Sequence, residues 1–286
     1  MSLAGQTMIM SGGSRGIGEA IAVRAARDGA NVALLAKTTE PHPKLPGTIY
    51  TAAKAIEEAG GKALPLVGDI RDDAFVESAV AQVVEAFGGI DIVVNNASAI
   101  DLTGTEEIPM KKYDLMNDIN ARGSFLLSKM SIPHLRNSAN GHILTLSPPI
   151  LLDPKWFKSN TAYTMAKYGM SLVTLGLSEE LREDGIAANS LWPRTAIDTA
   201  AVRNVVGAGL VSHSRTPAIM ADAAYEILIK DSREFTGQFV IDDDILEDAG
   251  VTDFSIYLNE GGTEDGLALD FWVEPKGPYD PSLSLH

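Results

Sequence analysis

The 286-residue sequence predicts an α/β fold, in which a doubly wound parallel sheet of about seven strands has helices on both faces. Short apolar runs, which suit buried strands, alternate with helical patterns along most of the chain. Right-handed crossovers between parallel strands then place helices on both faces of the sheet. The predicted strands are 7–10, 31–37, 62–67, 90–94, 142–146, 186–191 and 239–241, and the predicted helices are 19–28, 51–59, 74–87, 112–130, 161–182 and 222–230.

A glycine-rich turn follows the first predicted strand and leads into the first predicted helix. Glycines let the backbone approach a pyrophosphate, and the amide groups and dipole at the helix N-terminus favour its negative charge. The alternative is a tight turn that packs closely against a helix. Strand, glycine turn, helix and strand in this order favour a Rossmann-type dinucleotide site. The candidate cofactor-binding residues of the turn are Gly12, Gly13, Ser14, Arg15, Gly16, Ile17 and Gly18.

The end of the second predicted strand bears on the choice of dinucleotide. A carboxylate there would accept hydrogen bonds from the adenosine ribose and suit NAD, but the strand ends in Ala36 and Lys37. Lys37 and Arg15 instead offer positive charge to a 2′-phosphate, which favours NADP(H). Glu40 is a candidate ribose acid, but the prolines that follow it, beginning with Pro41, place it in an irregular loop.

Tyr163 and Lys167 lie four residues apart on one predicted helix and therefore share a face. A free phenol keeps its proton up to about pH 10. A cation ~4 Å away contributes about 4 kcal/mol at an effective dielectric constant near 20. Lys167 is therefore expected to move the pKa of the phenol towards neutrality, where Tyr163 can give and take a proton. The alternative is a locally hydrogen-bonded tyrosine and a lysine that extends to solvent.

Composition and charge limit the classes of function. The sequence has no cysteine, which excludes disulfides, thiolate metal sites and cysteine nucleophiles, and we predict no metal site. The net charge of −15 argues against nucleic acid or an anionic membrane surface as a partner. No apolar run approaches the ~20 residues of a membrane span, and the N-terminus lacks the pattern of a signal peptide, so a cytoplasmic location is expected.

The C-terminal end is strongly acidic. Residues 241–286 contain 12 acidic residues and one basic residue, Lys276. We interpret this region as a solvated appendix that favours solubility. It also contains aromatic residues, such as Phe271 and Trp272, which are candidates to cover the body of the protein or to mediate assembly.

Further residues complete a set that resembles a known family. Asp69 follows the third predicted strand, Asn95-Asn96-Ala97 follow the fourth, and Asn120 lies in the helix predicted over 112–130. With the glycine turn and the Tyr-x-x-x-Lys pair, they resemble the short-chain dehydrogenase/reductase family over roughly residues 5–245. Segments 41–45, 146–149 and 162–170 resemble its hydroxysteroid dehydrogenase-like subgroup.

The resemblance implies a domain organisation. Residues 1–245 are expected to form an NADP-binding oxidoreductase domain. Residues 246–286 are expected to form an acidic extension that packs on this domain or trails from it. Members of the subgroup can carry a sterol-carrier domain after the reductase domain, and we expect none in these 286 residues.

The resemblance also implies roles for the matching catalytic residues. Tyr163 would be the general acid/base. Lys167 would hold the nicotinamide ribose and lower the pKa of the phenol. Asn120 would help to hold a water that relays protons from Lys167. Family members are commonly joined through the helices that carry Asn120 and Tyr163, so a homodimer or homotetramer is expected.

The remaining roles implied by the resemblance concern the cofactor. Asp69 would face the adenine, Asn96 and Ala97 would line the adenosine ribose, and Lys37 would meet the 2′-phosphate of NADP(H). Two residues depart from the family pattern near these positions. Ser98 stands where the family often has a glycine, and Arg194 stands where it has a glycine after Pro193. A guanidinium at 194 suits either a carboxylate or phosphate of the substrate or a structural ion pair.

A third departure concerns the substrate-binding serine of the family. By position in the chain that serine falls on Pro148, which has no donor, and Ser147 is the nearest hydroxyl. We predict that the two prolines re-aim Ser147, so that its hydroxyl reaches the Tyr163 hydroxyl or a water between them. The alternative is that Ser147 faces the core, and that Tyr163, Lys167 and Asn120 make the site alone.

The sequence therefore predicts an NADP-dependent oxidoreductase that transfers hydride between nicotinamide and a small-molecule carbonyl or secondary alcohol. Its predicted catalytic residues are Tyr163, Lys167, Asn120 and Ser147. One alternative is a dinucleotide-binding regulatory or scaffold protein without turnover. Another is a lyase or epimerase, because a fold does not by itself determine a function.

Overall fold

The computed structural model describes residues 2–41, 47–205, 208–276 and 283–285. Its strands are β1 (Thr7–Ser11), β2 (Asn31–Ala36), β3 (Lys62–Val67), β4 (Ile92–Asn95), β5 (His142–Thr145), β6 (Ala187–Trp192) and β7 (Phe239–Ile241). They form one parallel sheet of seven strands in the order β3-β2-β1-β4-β5-β6-β7, which confirms the predicted fold class. Most of segment 41–45, one of the three subgroup-like segments, lies outside the described residues.

The α-helices cover both faces of this sheet. They are α1 (Gly16–Ala26), α2 (Ile49–Glu58), α3 (Asp73–Phe87), α4 (Met110–Asn117), α5 (Gly123–Leu135), α6 (Thr161–Glu180), α7 (Ala200–Val205), α8 (Ala218–Leu228) and α9 (Asp242–Asp248). The helix predicted over 112–130 is instead two α-helices, α4 and α5, joined by a π-helical turn (Asp118–Arg122). Asn120 lies in that turn, and such turns often mark functional sites.

The alternation of side chains along each strand explains the two layers of helices. Met8 and Met10 of β1 lie in the apolar cluster that includes residues of α1, α2 and α8, while Ile9 between them lies in the cluster with α3, α5 and α6. Successive side chains of a strand point to opposite faces, so a strand that is apolar throughout needs a helical layer on each side.

The sheet order creates a crevice at the carboxyl ends of β1 and β4. β1 pairs with β2 on one side and with β4 on the other, so the chain order reverses between β1 and β4. Ligands of open parallel sheets bind at such reversal points. The glycine turn follows β1 and Asn96 follows β4, so both lie at this crevice.

The C-terminal segment, residues 267–273, packs on the body of the protein. All seven of its residues are buried, and the backbone N–H of Asp270 donates to the Arg194 carbonyl at 2.9 Å. The Trp192 indole N–H donates to the Phe271 carbonyl at 2.8 Å. The interpretation of the acidic tail as a solvated appendix is therefore wrong for this segment, because its apolar side chains lie in the core.

Candidate active site

One cavity of about 450 Å³ brings most of the predicted site residues together. It extends from the glycine turn at the end of β1 to Tyr163 and Lys167 on α6. Its lining includes eleven of the predicted residues, which are Gly12, Ser14, Arg15, Gly16, Ile17, Lys37, Asp69, Asn96, Ala97, Tyr163 and Lys167. The predicted residues that lie outside the lining are Gly13, Gly18, Asn120 and Ser147.

The glycine turn is packed tightly against the end of β4. Gly12 has a φ of +74°, and a Cβ there would lie 2.8 Å from the Cα of Ala97, so a side chain would be strained and crowded. A Cβ on Gly18 would lie 2.5 Å from the side-chain nitrogen of Asn96. The same nitrogen donates to the Gly12 carbonyl at 2.8 Å, and the Ala97 N–H donates to the Ser11 hydroxyl at 3.1 Å. Asn96 and Ala97 therefore fix the shape of the turn as well as line the cavity.

Positive charge gathers at the carboxyl end of β2. The Lys37 ammonium donates to the Asp69 carboxylate at 3.0 Å, and Arg71 donates to the same carboxylate at 2.7 Å. Hydrogen bonding by Arg71 is the main cause that holds the pKa of Asp69 well below its usual range. The Lys37 side chain is 57% exposed, and Arg15, which also lines the cavity, donates to the Gly47 carbonyl at 3.1 Å. Since Arg71 alone can neutralise Asp69, the charge of Lys37 is available to a ligand.

Tyr163 lies under the C-terminal segment. Its ring centroid is 6.2 Å from that of Phe271 and 5.5 Å from that of Trp272, and the residue is 5% exposed. Burial raises the pKa of the phenol well above its usual range, and the nearby carboxyl of Asp270 adds to this shift. A side-chain hydrogen bond with Ser98 works in the opposite direction. Tyr163 therefore keeps its proton at neutral pH.

Lys167 does not lower the pKa of the phenol as expected, and for this structure that expectation is wrong. Its ammonium donates to the Leu146 carbonyl at 2.6 Å and lies 4.9 Å from the centroid of the Trp192 ring. Burial lowers the pKa of Lys167 to about 7, with Asp270 acting against the shift. The ammonium is thus bound by the end of β5, and burial dominates the titration of both Lys167 and Tyr163.

Asn120 is completely buried and holds the backbone beside Ser98. Its side-chain oxygen accepts from the Ala99 N–H at 2.7 Å, and its side-chain nitrogen donates to the Ala99 carbonyl at 3.1 Å. Ser98 lines the cavity and lies close enough to Tyr163 to oppose the rise in the pKa of the phenol, while its hydroxyl donates to the Ala99 carbonyl at 3.4 Å. Asn120 therefore fixes the loop that presents a hydroxyl to the phenol. Sequence analysis had singled out Ser98 only as a departure from the family pattern.

Ser147 is completely buried and does not line the cavity that Tyr163 lines. Among the described residues its hydroxyl has no hydrogen-bond partner, so no direct bond joins it to Tyr163. Its backbone N–H donates to the Thr145 carbonyl at 2.9 Å, and the Pro148 carbonyl accepts from the Ser171 hydroxyl at 2.6 Å. These bonds fix the backbone on both sides of Ser147, so the prolines do not turn its side chain towards the cavity.

Arg194 forms the structural ion pair that was one of its two interpretations. Its Nε donates to the Asp243 carboxylate at 2.7 and 2.8 Å, and its Nη2 donates to Asp244 at 2.7 Å. Its Nη1 donates to the carbonyl of Glu274, just beyond the C-terminal segment, at 2.9 Å. Arg194 does not line the cavity, and its side chain is 9% exposed. The guanidinium therefore links α9 to the residue that follows the C-terminal segment.

Asp270 is a cavity residue that sequence analysis did not identify. It is 7% exposed and lines the cavity next to Tyr163 and Lys167. The sequence carried a signal, since Asp270 is the only charged residue within the apolar run Leu267–Val273. An apolar run predicts burial, and a carboxylate is seldom buried without a partner or a function.

The described residues contain neither a cluster that could hold a metal ion nor a helix that could span a membrane. Among them, no cluster of three or more histidine, aspartate or glutamate side chains is arranged to hold a metal ion. No helix within the described ranges combines the length and apolarity that a membrane crossing requires.

Comparisons with known proteins agree with the geometry of the site. The family model described as short chain dehydrogenase matches residues 6–207. Hydroxysteroid dehydrogenase-like protein 2 of Danio rerio is 60% identical over 272 residues, which are 95% of this chain but only 65% of that relative. This chain thus spans about two thirds of the relative's length.

Solved structures extend the comparison. The crystal structure of a short chain dehydrogenase from Mycobacterium thermoresistibile is 58% identical, with a TM-score of 0.91 and coverage of 99% of both chains. The NADH-dependent reductase A1-R′, solved in complex with NAD, is 25% identical with a TM-score of 0.67. That comparison covers 84% of this chain and 95% of the reductase.

Proposed function

This chain belongs to the short-chain dehydrogenase family, and from that premise we propose that it is an NADP-dependent oxidoreductase acting on a carbonyl or secondary alcohol. One observation carries the proposal. A single cavity joins the glycine turn and Lys37 at one end to Tyr163 and Lys167 at the other, so a dinucleotide and a small substrate can meet there.

The residues of the cavity fit a nicotinamide dinucleotide. The start of α1 lies on the cavity and offers backbone amides to a pyrophosphate, as the NAD-bound relative's fold would require. Asn96, Ala97 and Asp69 line the cavity; in this proposal Asn96 and Ala97 would line the adenosine ribose and Asp69 would face the adenine. Lys167 would hold the nicotinamide ribose, and the bound nicotinamide would supply or accept the hydride.

Tyr163 has the protonation state that carbonyl reduction needs. Its pKa is raised, so the phenol is protonated at neutral pH and can give its proton to a carbonyl oxygen that gains negative charge. Oxidation of an alcohol would start from the phenolate, which the raised pKa disfavours at neutral pH. Phe271 and Trp272 pack on the phenol ring and limit the access of water.

Consumption of NADPH with a panel of ketones tests this function directly. The rival is a dinucleotide-binding regulatory protein, and the close cover over Tyr163 is the observation that favours it. Binding of NADPH together with turnover of at least one ketone supports the oxidoreductase. Tight NADPH binding without turnover of any ketone or secondary alcohol would favour the regulatory protein.

Lys37→Ala is expected to remove most of the preference for NADPH over NADH. NADPH should bind the unmodified protein at least several-fold more tightly, because Lys37 supplies a charge for the 2′-phosphate and β2 has no carboxylate at its end. Dissociation constants of both cofactors, measured by fluorescence titration, give the comparison. Lys54→Ala, a change of an exposed lysine on α2, is the matched control. Equal affinities for the two cofactors before mutation would contradict the proposed cofactor.

Ser98→Ala is expected to lower kcat/KM by about 10-fold or more, whereas Ser147→Ala leaves it nearly unchanged. A hydroxyl beside the phenol can donate to the carbonyl oxygen of the substrate, and of these two serines Ser98 lines the cavity and Ser147 does not. Steady-state kinetics of both variants with one ketone provide the measurement. The reverse ranking of the two variants would restore Ser147 as the substrate-binding serine.

An exposed apolar surface on α5 and α6 supports assembly into a homodimer or homotetramer. Phe125 on α5 and Met165, Leu172 and Leu175 on α6 are between 45% and 57% exposed. Large apolar side chains at this exposure are a common feature of interfaces between subunits. Light scattering of the purified protein would give the molar mass, and a mass of about 30.4 kDa would contradict the assembly.

A further inference from the structure

Asp270 lies in the cavity without a role in nucleotide binding or in the proton step proposed for Tyr163. Its Oδ1 accepts from the Phe271 backbone N–H at 2.7 Å. Its Oδ2 has no hydrogen-bond partner among the described residues. This oxygen is not fully enclosed by protein, and the residue lines the cavity. A carboxyl group that is 93% buried and leaves one oxygen unpaired on a cavity is costly unless that oxygen binds something.

The carboxyl group is held in place by a fixed backbone. The Asp270 N–H donates to the Arg194 carbonyl at 2.9 Å, and the carbonyl of Phe271 accepts from the Trp192 indole at 2.8 Å. The indole N–H of Trp272 donates to the Trp156 carbonyl at 3.2 Å. These bonds on both sides of Asp270 pre-organise its side chain, as a specificity-determining group requires.

The groups around Asp270 set its charge. Tyr163 and Lys167 face it from α6, and Asp242 faces it from the start of α9. Burial is the main cause that raises the pKa of Asp270 to about 8. The Phe271 N–H and Lys167 oppose this shift, and Asp242 adds to it. The carboxyl group is thus mostly neutral at pH 6 and mostly ionised at pH 9. Either form can hydrogen-bond a hydroxyl group, whereas only the ionised form repels an anion.

We propose that Asp270 is a substrate-binding residue. Its free oxygen accepts a hydrogen bond from a substrate hydroxyl next to the reacting carbonyl, and its carboxyl group disfavours substrates that carry a carboxylate at that position. This inference rests on the proposed oxidoreductase function and narrows its substrate class to uncharged hydroxy ketones with an apolar body. Ile100, Trp192 and Phe271 line the cavity and suit that apolar body. Arg194 cannot offset an anion, because its donors are already bound to Asp243, Asp244 and Glu274.

Three probes of similar size test the proposal, namely 2-hydroxyacetophenone, propiophenone and phenylglyoxylate. The kcat/KM with NADPH should favour the hydroxy ketone over propiophenone by about 10- to 100-fold, the range of a hydrogen bond to a charged or strongly polar group. Phenylglyoxylate should be the poorest substrate, and its disadvantage should grow between pH 6 and pH 9. The ratio of the two neutral probes cancels the effects of pH on Tyr163 and Lys167, whereas the ratio with phenylglyoxylate also contains the loss of positive charge at Lys167.

Two variants separate the hydroxyl contact from the charge. Asp270→Asn should reduce the growth of the anion penalty with pH, because the amide does not titrate, and the growth that remains reports the loss of positive charge at Lys167. Asp270→Leu should abolish the preference for the hydroxy ketone as well. Asp265→Asn removes an exposed carboxylate five residues earlier and should change neither ratio. Unchanged NADPH affinity shows that each variant is folded, and Asp270→Ala, which also removes the hydrogen-bonding group, replaces the leucine variant if that one does not fold.

Two outcomes would overturn the inference while leaving the oxidoreductase intact. One is the same ratio between probes in the unmodified protein and in Asp270→Leu. The other is an equal loss of kcat/KM for all three probes, which would show that Asp270 acts through Lys167 and not on the substrate. A protein that binds NADPH but turns over no probe and no ketone of the wider panel would refute the proposed function, and this inference with it.

Discussion

Tyr163→Phe is expected to lower turnover by about 100-fold or more, while NADPH affinity stays near that of the unmodified protein. The change removes the hydroxyl that would donate the proton and leaves the ring in place. The ring keeps its contacts with Phe271 and Trp272, so the variant should fold. Single-turnover measurements with a ketone and NADPH report the chemical step, and fluorescence titration reports the affinity.

Tyr168→Phe is the matched control on the same helix. The Tyr168 hydroxyl donates to the Leu151 carbonyl at 2.8 Å and does not line the cavity. Its removal should cost about 1 kcal/mol of stability and leave turnover within a few-fold of the unmodified value. Near-normal turnover by Tyr163→Phe would show that another group donates the proton, and Ser98 would be the first candidate.

The fold was predictable because its signals are local. Met8, Ile9 and Met10 form an apolar run, and only a strand with helices on both faces buries all three. The glycine turn and the helix start that follows also have a local signal. Gly12 and Gly16 have a positive φ, which favours glycine at these positions. The order of elements along the chain then determines a parallel sheet.

The break in the predicted helix over 112–130 was not predictable from periodicity. The π-helical turn around Asn120 adds a residue to one helical turn, and the apolar pattern continues on both sides of it. The reason for the break appears only in the fold, where Asn120 binds the Ala99 backbone. A contact between residues 21 apart leaves no mark in the helical pattern.

The composition of the active site depended on contacts that are distant in sequence. Ser98 affects the pKa of Tyr163, and Asp270 affects the pKa of both Tyr163 and Lys167. Asp270 is more than 100 residues from either of these two in sequence. The interpretation of the C-terminal end as a solvated appendix rested on the net charge of residues 241–286. That average does not show the apolar run around Asp270, which is buried. The predicted role of Ser147 depended on the direction of its side chain next to two prolines. That direction is set by the backbone hydrogen bonds of Ser147 and Pro148, which the sequence does not reveal.

Arg194→Ala is expected to destabilise the protein by about 3–5 kcal/mol, because it leaves the buried Asp243 carboxylate without its main partner. The side chains of Arg194 and Asp243 are each 9% exposed, so water cannot take over the lost interactions. The next cation, Arg215, is 4.0 Å from Asp243 and does not replace the two contacts that the Nε of Arg194 makes with this carboxylate. For a chain of this size the loss corresponds to a fall in Tm of roughly 6–20 °C.

Arg182→Ala provides the matched control for Arg194→Ala. Arg182 pairs with Glu179 at 2.8 Å, but the two side chains are 53% and 76% exposed, so its loss should cost less than about 1 kcal/mol. Thermal unfolding of both variants gives the comparison. Arg194→Ala should also free the Glu274 carbonyl and loosen the C-terminal segment, which faster hydrogen exchange of residues 269–273 would reveal. An unchanged Tm, together with a fall in kcat/KM for an anionic ketone alone, would instead assign Arg194 to the substrate.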